Sequence, residues 1–304
     1  MDRIAGQGMT PPEPIDQEAF DRVLGSLRPK LHRYCARMVG SGIDGEDVVQ
    51  EALLKAIEAF PGAAAIGNVE GWLFRIVHNT ALDFLRSRAR HQRFVGDENV
   101  AMIADPVDEI HQRQAAAAAL HTFMRLPVAQ RSTVILKDVL GYSLEEIGGT
   151  TESTIPAVKA ALHRGREGLR AAVQEPDDRP PPTLSEAERA RLSAYVERFN
   201  ARDFDTVRDM LAEDVRLELV NKTRLKGRTE VGRYFGNYAN ARDWHFQLGF
   251  VDRRPAIIAS DPSDSVRRPT YFILLHWTTD RIGIIRDFRH ARYVMEAAEV
   301  ILPE

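Results

Sequence analysis

Cysteine is nearly absent from this sequence, since Cys35 is the single one among 304 residues. One thiol cannot form an internal disulfide, which excludes the small secreted domains that disulfides hold together. No apolar run approaches the roughly 20 residues that span a bilayer, and the N-terminus lacks the apolar segment of a signal peptide. The sequence therefore predicts a soluble cytoplasmic protein that has no membrane partner.

Several signatures of chemistry are also missing. The sequence has no histidine pair or Cys/His cluster at metal-ligand spacing, no glycine-rich phosphate loop and no nucleophile elbow. We therefore expect no catalytic residue, no metal site and no cofactor. The net charge of −3 argues weakly against a nucleic-acid binder, so charge has to be judged in local stripes. The length predicts two or three domains, and 44% hydrophobic residues allow each a core.

The most informative stretch is residues 126–170, which read LPVAQRSTVILKDVLGYSLEEIGGTTESTIPAVKAALHRGREGLR. Apolar residues at helical spacing predict a first helix that Gly141 ends. Ser143 with Glu146 three residues later predicts a capping box, which opens a short second helix over residues 144–149. Thr154 and Pro156 then begin a third helix. The pattern is helix, turn, helix.

The last of these helices is cationic. Its four Lys/Arg against one Glu give it a formal charge of +3, with Val158, Leu162 and Leu169 left to pack on the other face. A major groove accepts such a helix, because phosphates attract the cations and base edges meet the first turn. The plain alternative is a solvated basic face on an ordinary helical bundle. The residues that we expect at DNA are Thr154, Pro156, Lys159, His163, Arg164 and Arg166.

A second cationic helix precedes it, GWLFRIVHNTALDFLRSRARHQR, from Gly71. Leu73, Val77 and Phe84 face inward at spacings of three and four, and the opposite stripe is polar and basic. Cations follow a nucleic-acid backbone, while amide and flat groups meet exposed bases. A merely solubilising arginine stripe is the alternative. The residues that we expect at single-stranded DNA are Trp72, Arg75, Asn79, Asp83, Arg86 and Arg90.

These two stretches, in this order, resemble the extracytoplasmic-function (ECF) sigma factors of RNA polymerase. The resemblance implies that the upstream helix reads and melts the promoter −10 element and that the basic helix reads the −35 element. It implies two partners, promoter DNA and the β and β′ subunits of the polymerase core. The segment GIDGEDVVQEALLKAIEAF is similar to the polymerase-binding helix of the family, which assigns core contact to Asp47, Gln50 and Glu51. A solvated acidic face is the alternative for these three.

One departure from the family lies at residues 148–152. Gly148 and Gly149 stand where an apolar helix end is usual, and glycines weaken a helix. Glu152 would bring charge near phosphate. These changes predict weaker −35 binding, although the register of the motif is kept.

The chain continues past a proline-rich segment with a different pattern, helices first and strands after, which predicts an α+β cone. We expect helices over residues 186–200, 204–214 and 227–238 and strands over 215–220, 244–251, 255–260, 270–278 and 282–289, in an antiparallel sheet. AYVERFNARDFDTVRDMLAEDVRLEL with GRTEVGRYF resembles the SnoaL-like, ketosteroid-isomerase-like domains. An enzyme would draw on polar or aromatic residues of that cone, for which the candidates are Tyr195, Asp214, Trp244, His245, His276 and Arg289.

We therefore expect a multidomain protein, with two all-α DNA-reading domains, the second a helix-turn-helix, followed by an α+β SnoaL-like cone. The expected boundaries are a disordered tail (1–18), region 2 (19–95), an acidic linker (96–114), region 4 (115–174), a proline linker (175–184) and the cone (185–304). We expect a sigma factor whose cone regulates it without catalysis. The alternatives are a ligand-sensing helix-turn-helix repressor and a bifunctional protein with an isomerase-like enzyme. Whether the cone holds a small ligand stays open.

Overall fold

The computed structural model describes residues 16–60, 66–91 and 108–302. These residues form two compact units. The first ends at Gln174, and the second begins at Glu175 and also includes Ser41–Ile43. The N-terminal tail before residue 16 and most of the expected acidic linker lie outside the described residues, as do residues 61–65 of the loop before the upstream basic helix. None of the helices within the described ranges is long and apolar enough to cross a membrane.

The first unit is all α-helix. Its helices are α1 (Gln17–Val39), α2 (Gly42–Ala59), α3 (Val69–His91), α4 (Asp108–Ala117), α5 (Leu120–Phe123), α6 (Val128–Val134), α7 (Leu144–Thr151) and α8 (Ile155–Gln174). A π-helical turn, Ile135–Val139, follows α6 directly. The side chain of Asp16 caps α1, and Gly40 ends it at φ 79°. The helix is continuous through Pro29.

One hydrophobic core runs through this unit, from Phe20 in α1 to Leu169 in α8. The cationic helix α3 contributes Leu73, Phe74 and Val77 to it, which fixes the opposite face of α3 toward solvent. The predicted succession of helices in the helix-turn-helix is present as α6, α7 and α8. The predicted capping box between Ser143 and Glu146 is confirmed, and Gly141 takes φ 80° in the turn. Helix α7 runs to Thr151, two residues beyond the predicted end, and Glu152 closes it at φ 53°.

The second unit combines three helices with one sheet. The helices are α9 (Glu186–Asn200), α10 (Phe204–Asp209) and α11 (Arg228–Asn240), and a 3-10 turn, Arg292–Glu296, lies near the end. The strands are β1 (Leu211–Leu219), β2 (Thr223–Lys226), β3 (His245–Val251), β4 (Arg254–Ser260), β5 (Pro269–Thr278), β6 (Arg281–Asp287) and β7 (Val300–Ile301). Their order across the sheet is β2-β1-β6-β5-β4-β3-β7.

The predicted fold class, helical domains followed by an α+β domain, is confirmed, and three details of the second unit differ. Helix α10 ends at Asp209 rather than at residue 214, because Leu211 already pairs with Ile282 of β6. That pairing is parallel, so the sheet is not wholly antiparallel. The short strands β2 and β7 were not predicted. Alternate residues of β4 and β5 then pack on two faces, Ile257 and Ile273 on one and Ile258 and Phe272 on the other.

Candidate nucleic-acid interface

Helix α3 carries a continuous ridge of polar and basic side chains. The residues predicted at single-stranded DNA here, Arg75, Asn79, Asp83, Arg86 and Arg90, are all exposed and recur every three or four positions. Asp83 pairs with Arg86 at 3.0 Å, which leaves the ridge with a net positive charge. The ridge therefore has the length and the charge to follow a nucleic-acid strand.

Trp72, the sixth residue predicted at this site, lies differently. It is half-buried, and its ring is 6.1 Å from that of Phe20 in the core. The indole also forms part of the wall of a cavity of about 490 Å³, which Asn68, Glu70 and Tyr142 line as well. Trp72 is thus a wall of a concave polar site and not a freely exposed stacking platform.

Helix α8 presents its first turn to solvent. Ile155, Pro156 and Lys159 are exposed, and the Thr154 hydroxyl accepts a hydrogen bond from the backbone N–H of Ala157 at 3.4 Å. His163 and Arg164 come one turn later and are half-buried, with His163 3.7 Å from Glu167. The first turn of the cationic helix is therefore open to solvent, and this N-terminal end is the one that enters a major groove in helix-turn-helix proteins.

Arg166 does not lie with the exposed cations, contrary to what its place in the basic stripe predicts. Its guanidinium donates Nε to Asp138 at 2.9 Å and Nη2 to the same carboxylate at 2.6 Å. The Arg166 side chain is 10% exposed and that of Asp138 is 1% exposed. This bidentate ion pair joins α8 to the π-helical turn, so Arg166 positions the helix. In this conformation its guanidinium is bound to Asp138.

A mixed surface lies on α2. Glu51 is exposed and pairs with Lys55 at 2.8 Å, while Asp47 and Gln50 are half-buried beside it. Leu54 and Ile57 are 54% and 45% exposed, although the sequence pattern favours a buried Ile57. Leu54 follows Glu51 by three residues, so helical periodicity alone places it on the same face. The three predicted residues and these two apolar side chains form what we call the α2 face.

A buried pair that sequence reasoning missed supports α3 from behind. The Tyr34 hydroxyl in α1 lies 2.6 Å from Nδ1 of His78, which is buried in α3 between two ridge residues. Burial lowers the pKa of His78 to about 4, and the charge of Arg86 adds to that effect. His78 is therefore neutral at pH 7 and holds the α3 ridge through a neutral hydrogen bond.

This pKa predicts an acid-sensitive first unit. Between the ordinary value of 6.5 and about 4, the unfolded chain takes up a proton that the folded chain does not. The stabilisation is complete above pH 6.5 and falls with pH down to about 4, by about 3 kcal/mol at most. We expect His78→Asn, whose amide oxygen can still accept from Tyr34, to reduce this loss. Urea unfolding at pH 7.5 and pH 5 measures it, and an unchanged pH dependence in the variant would contradict the role.

The six enzyme candidates of the second unit are dispersed. Tyr195 and Trp244 are buried, Asp214 and His276 are exposed, and His245 and Arg289 are half-buried. Partial desolvation lowers the pKa of both histidines, and nearby arginines add to the effect. They lie on strands β3 and β5, while Asp214 lies on β1. Of the six, Arg289 alone is in the polar network described next.

That network is centred on Asp287, which sequence reasoning missed. Its carboxylate accepts hydrogen bonds from the hydroxyls of Tyr238 at 2.6 Å and Tyr234 at 3.2 Å, and from the backbone N–H of Arg289 at 2.8 Å. Burial raises the pKa of Asp287, although these hydrogen bonds oppose it. Arg289 also donates to the Tyr271 hydroxyl at 2.8 Å. The carboxylate is satisfied by its own chain, as buried structural carboxylates are.

Family models match three parts of the chain. Residues 23–91 match "Sigma-70 region 2", residues 117–169 match "Sigma-70, region 4", and residues 192–263 match "SnoaL-like domain". The chain is 33% identical over 157 residues to the ECF RNA polymerase sigma factor SigM of Mycobacterium tuberculosis, covering 51% of this chain and 76% of SigM. The chain belongs to the ECF sigma factors.

The chain is also similar to two further proteins. The ECF sigma factor SigW of Bacillus subtilis is 28% identical over 171 residues, 53% of this chain and 91% of SigW. The crystal structure of the ECF sigma factor SigJ of Mycobacterium tuberculosis aligns with 88% of this chain and 95% of its own, at 20% identity and a TM-score of 0.35. Helix α3 lies within the residues matched to region 2, and α8 lies within those matched to region 4 as far as residue 169. No group of His, Cys, Asp and Glu suited to a metal ion occurs in the part of the chain that the structure describes.

Proposed function

We propose that this chain binds the RNA polymerase core, through its β and β′ subunits, and directs initiation at specific promoters. The observation that supports it best is the α3 ridge, five exposed polar or basic residues on one face of the region 2 helix. The arginines recur along the ridge and can contact a phosphate backbone. Asn79 lies between them and offers an amide that can pair with an unstacked base edge. These groups are suited to binding the single strand of a melted −10 element. The proposal places the protein in the cytoplasm, where the polymerase works.

We assign binding of the −35 element to the exposed N-terminal turn of α8. Thr154, Pro156 and Lys159 begin the helix, with the side chains of His163 and Arg164 a turn behind them. Backbone N–H groups of a first helical turn and an adjacent lysine suit phosphate, while side chains there reach base edges. We leave Arg166 out of the direct contacts, because Asp138 holds it.

The polymerase-binding surface that we propose is the α2 face. Interface cores combine apolar side chains with a few charges, and isolated exposed leucines or isoleucines beside an acidic residue fit that composition. Leu54 and Ile57 supply apolar area next to Glu51. A cationic helical partner with an apolar stripe would match this face.

Reversing the charge at Glu51 tests the proposal. We expect Glu51→Arg to weaken core binding about tenfold or more, because it opposes a complementary charge at the partner. The measurement is the affinity of the full chain for purified core, with run-off transcription on genomic fragments. Glu197→Arg is the matched control, since Glu197 is also an exposed helical glutamate but lies in α9. Equal core affinity for the two variants would count against the α2 face, and no transcription by the unmodified chain with core against the function.

We further propose three functional parts, residues 19–95, 115–174 and 185–304, and a regulatory, non-catalytic role for the last. The linker 175–184 contains neither helix nor strand. Against an isomerase-like enzyme stands the Asp287 network, whose carboxylate already accepts three hydrogen bonds from its own chain. A proton-transfer base needs an accessible lone pair aimed at substrate. A ligand-sensing repressor is the other alternative, and it gives the α2 face and the α3 ridge no role.

A further inference from the structure

The basic side of α8 lines a cavity. Lys159, His163, Arg166 and Arg170 follow one another at intervals of four, three and four residues, which places them on one side of the helix. Together with His111 of α4 they line a cavity of about 260 Å³. The cations of α8 therefore face a concave space as well as the open solvent at the first turn of the helix.

Promoter reading leaves most of this cavity without a role. A recognition helix contacts base edges with its N-terminal residues, and Arg170 lies eleven residues after Lys159, about 16 Å further along the helix. Arg166 is bound to Asp138, and His111 belongs to another helix. Lys159 and His163 are thus the members of the cavity wall that also belong to the proposed −35 contacts.

The cavity wall is fixed at its buried end. The Arg166 guanidinium donates two hydrogen bonds to Asp138, at 2.9 and 2.6 Å, and its side chain is 10% exposed. His111 is 6% exposed, and Leu162, another residue of the wall, is 8% exposed. Groups that are already fixed lose little conformational entropy when a ligand binds, so this part of the wall is preorganised.

Positive charge prevails in the cavity. Lys159 and Arg170 are exposed, and the charge of Arg166 is offset by Asp138. Glu167 is the acidic residue of the wall, and its side chain is 60% exposed and lies 3.7 Å from His163. Two cations against one solvent-screened carboxylate favour an anion, and a multiply charged anion gains most from them.

The size and the donors of the cavity select the chemistry of that anion. Its volume lies below the range of about 300–1,000 Å³ that holds drug-sized ligands, so a compact group fits. Arginine and lysine side chains both bind phosphate, and an imidazole N–H can add a hydrogen bond. A phosphate group carries more charge than a carboxylate and offers more acceptor oxygens. Phosphate groups therefore suit this cavity best.

We propose that the cavity between α4 and α8 binds a small phosphorylated molecule, with its phosphate groups at Lys159 and Arg170. One part rests on the proposed function, since Lys159 is also a −35 contact. A bound phosphate group draws Lys159 away from the promoter, so the ligand opposes −35 binding. A backbone phosphate of the promoter has the same chemistry, and the experiment separates these two sources.

Binding of inorganic pyrophosphate to the full chain, measured by isothermal titration calorimetry without DNA or polymerase, tests the site. We expect the unmodified chain to bind pyrophosphate and Arg170→Ala to weaken the affinity about tenfold, since a hydrogen bond between charged groups is lost. Arg113→Ala is the matched control, because Arg113 is an exposed arginine of α4 that is not part of the cavity wall. No binding by the unmodified chain, or an equal loss in both variants, would overturn the site.

Promoter binding identifies the source of the phosphate. We expect pyrophosphate, at constant ionic strength, to weaken binding of the unmodified chain to a promoter duplex severalfold and to leave that of Arg170→Ala nearly unchanged. An unchanged affinity of the unmodified chain would overturn the opposition to −35 binding.

Without pyrophosphate, the unmodified chain and Arg170→Ala should bind the duplex equally. A lower duplex affinity of Arg170→Ala, with a salt dependence reduced by about one unit, would instead assign the cavity to a backbone phosphate and overturn the small-molecule ligand. The calorimetry needs no promoter and no polymerase, so it still decides on the site if the proposed function fails.

Discussion

Arg166→Ala is expected to destabilise the first unit by about 3–5 kcal/mol, the loss that follows when one partner of a buried ion pair is removed. The Asp138 carboxyl would be left with its side chain 1% exposed and without the guanidinium that holds it. Lys159→Ala, seven residues earlier on the exposed part of α8, should leave the unit as stable as before. Its effect is expected on DNA, where the salt dependence of promoter binding should fall by about one unit if Lys159 contacts a phosphate.

Hydrogen–deuterium exchange of α6–α8 peptides of the full chain in rising urea measures the stability side of this comparison. Asp138→Leu combined with Arg166→Met should recover most of the lost stability, because replacing a buried pair by apolar groups of similar volume is often neutral. Equal stability of Arg166→Ala and Lys159→Ala would contradict the structural role of Arg166. Equal salt dependence of Lys159→Ala and the unmodified chain would remove Lys159 from the phosphate contacts.

These two residues also show where sequence reasoning reached its limit. The periodicity of α8 predicts that Lys159 and Arg166, seven residues apart, lie on one side of the helix. The partner that withdraws Arg166 lies 28 residues earlier, on a π-helical turn that no local pattern predicted. The same holds for Asp287, whose tyrosine partners lie about 50 residues away on α11. Long-range pairing of this kind leaves no trace in spacing.

Local signals predicted well where local chemistry decides. The capping box predicted at Ser143 is confirmed because a cap is a contact within one turn, and the same contact joins Ser185 and Glu188 at the start of α9. The predicted end of α10 was wrong, because Leu211, two residues after Asp209, pairs with the distant strand β6. The −10, −35 and core contacts stay predictions, since each needs a partner that the chain alone does not contain.

The glycines of the helix-turn-helix provide the second large effect, with opposite signs at two positions. Glycine inside a helix normally costs about 0.5–1 kcal/mol relative to alanine. At Gly149 in α7 an added Cβ would meet nothing within 4 Å, so Gly149→Ala should stabilise the unit by that amount. At Gly165 in α8 the Cβ would lie 2.6 Å from Val134 Cγ2 and 3.0 Å from the carbonyl of Gln130.

Gly165→Ala is therefore expected to destabilise the unit, by about 1–3 kcal/mol, because α8 must move away from α6 and overpacking of this kind exceeds the propensity gain. The displaced helix carries the −35 contacts, so promoter affinity should fall along with stability. Urea-dependent exchange of α8 peptides and promoter binding in the full chain measure both. Gly149→Ala is the matched control, the same substitution in the neighbouring helix. If the two variants shift stability in the same direction, the close packing of α8 on α6 is not what requires glycine at 165.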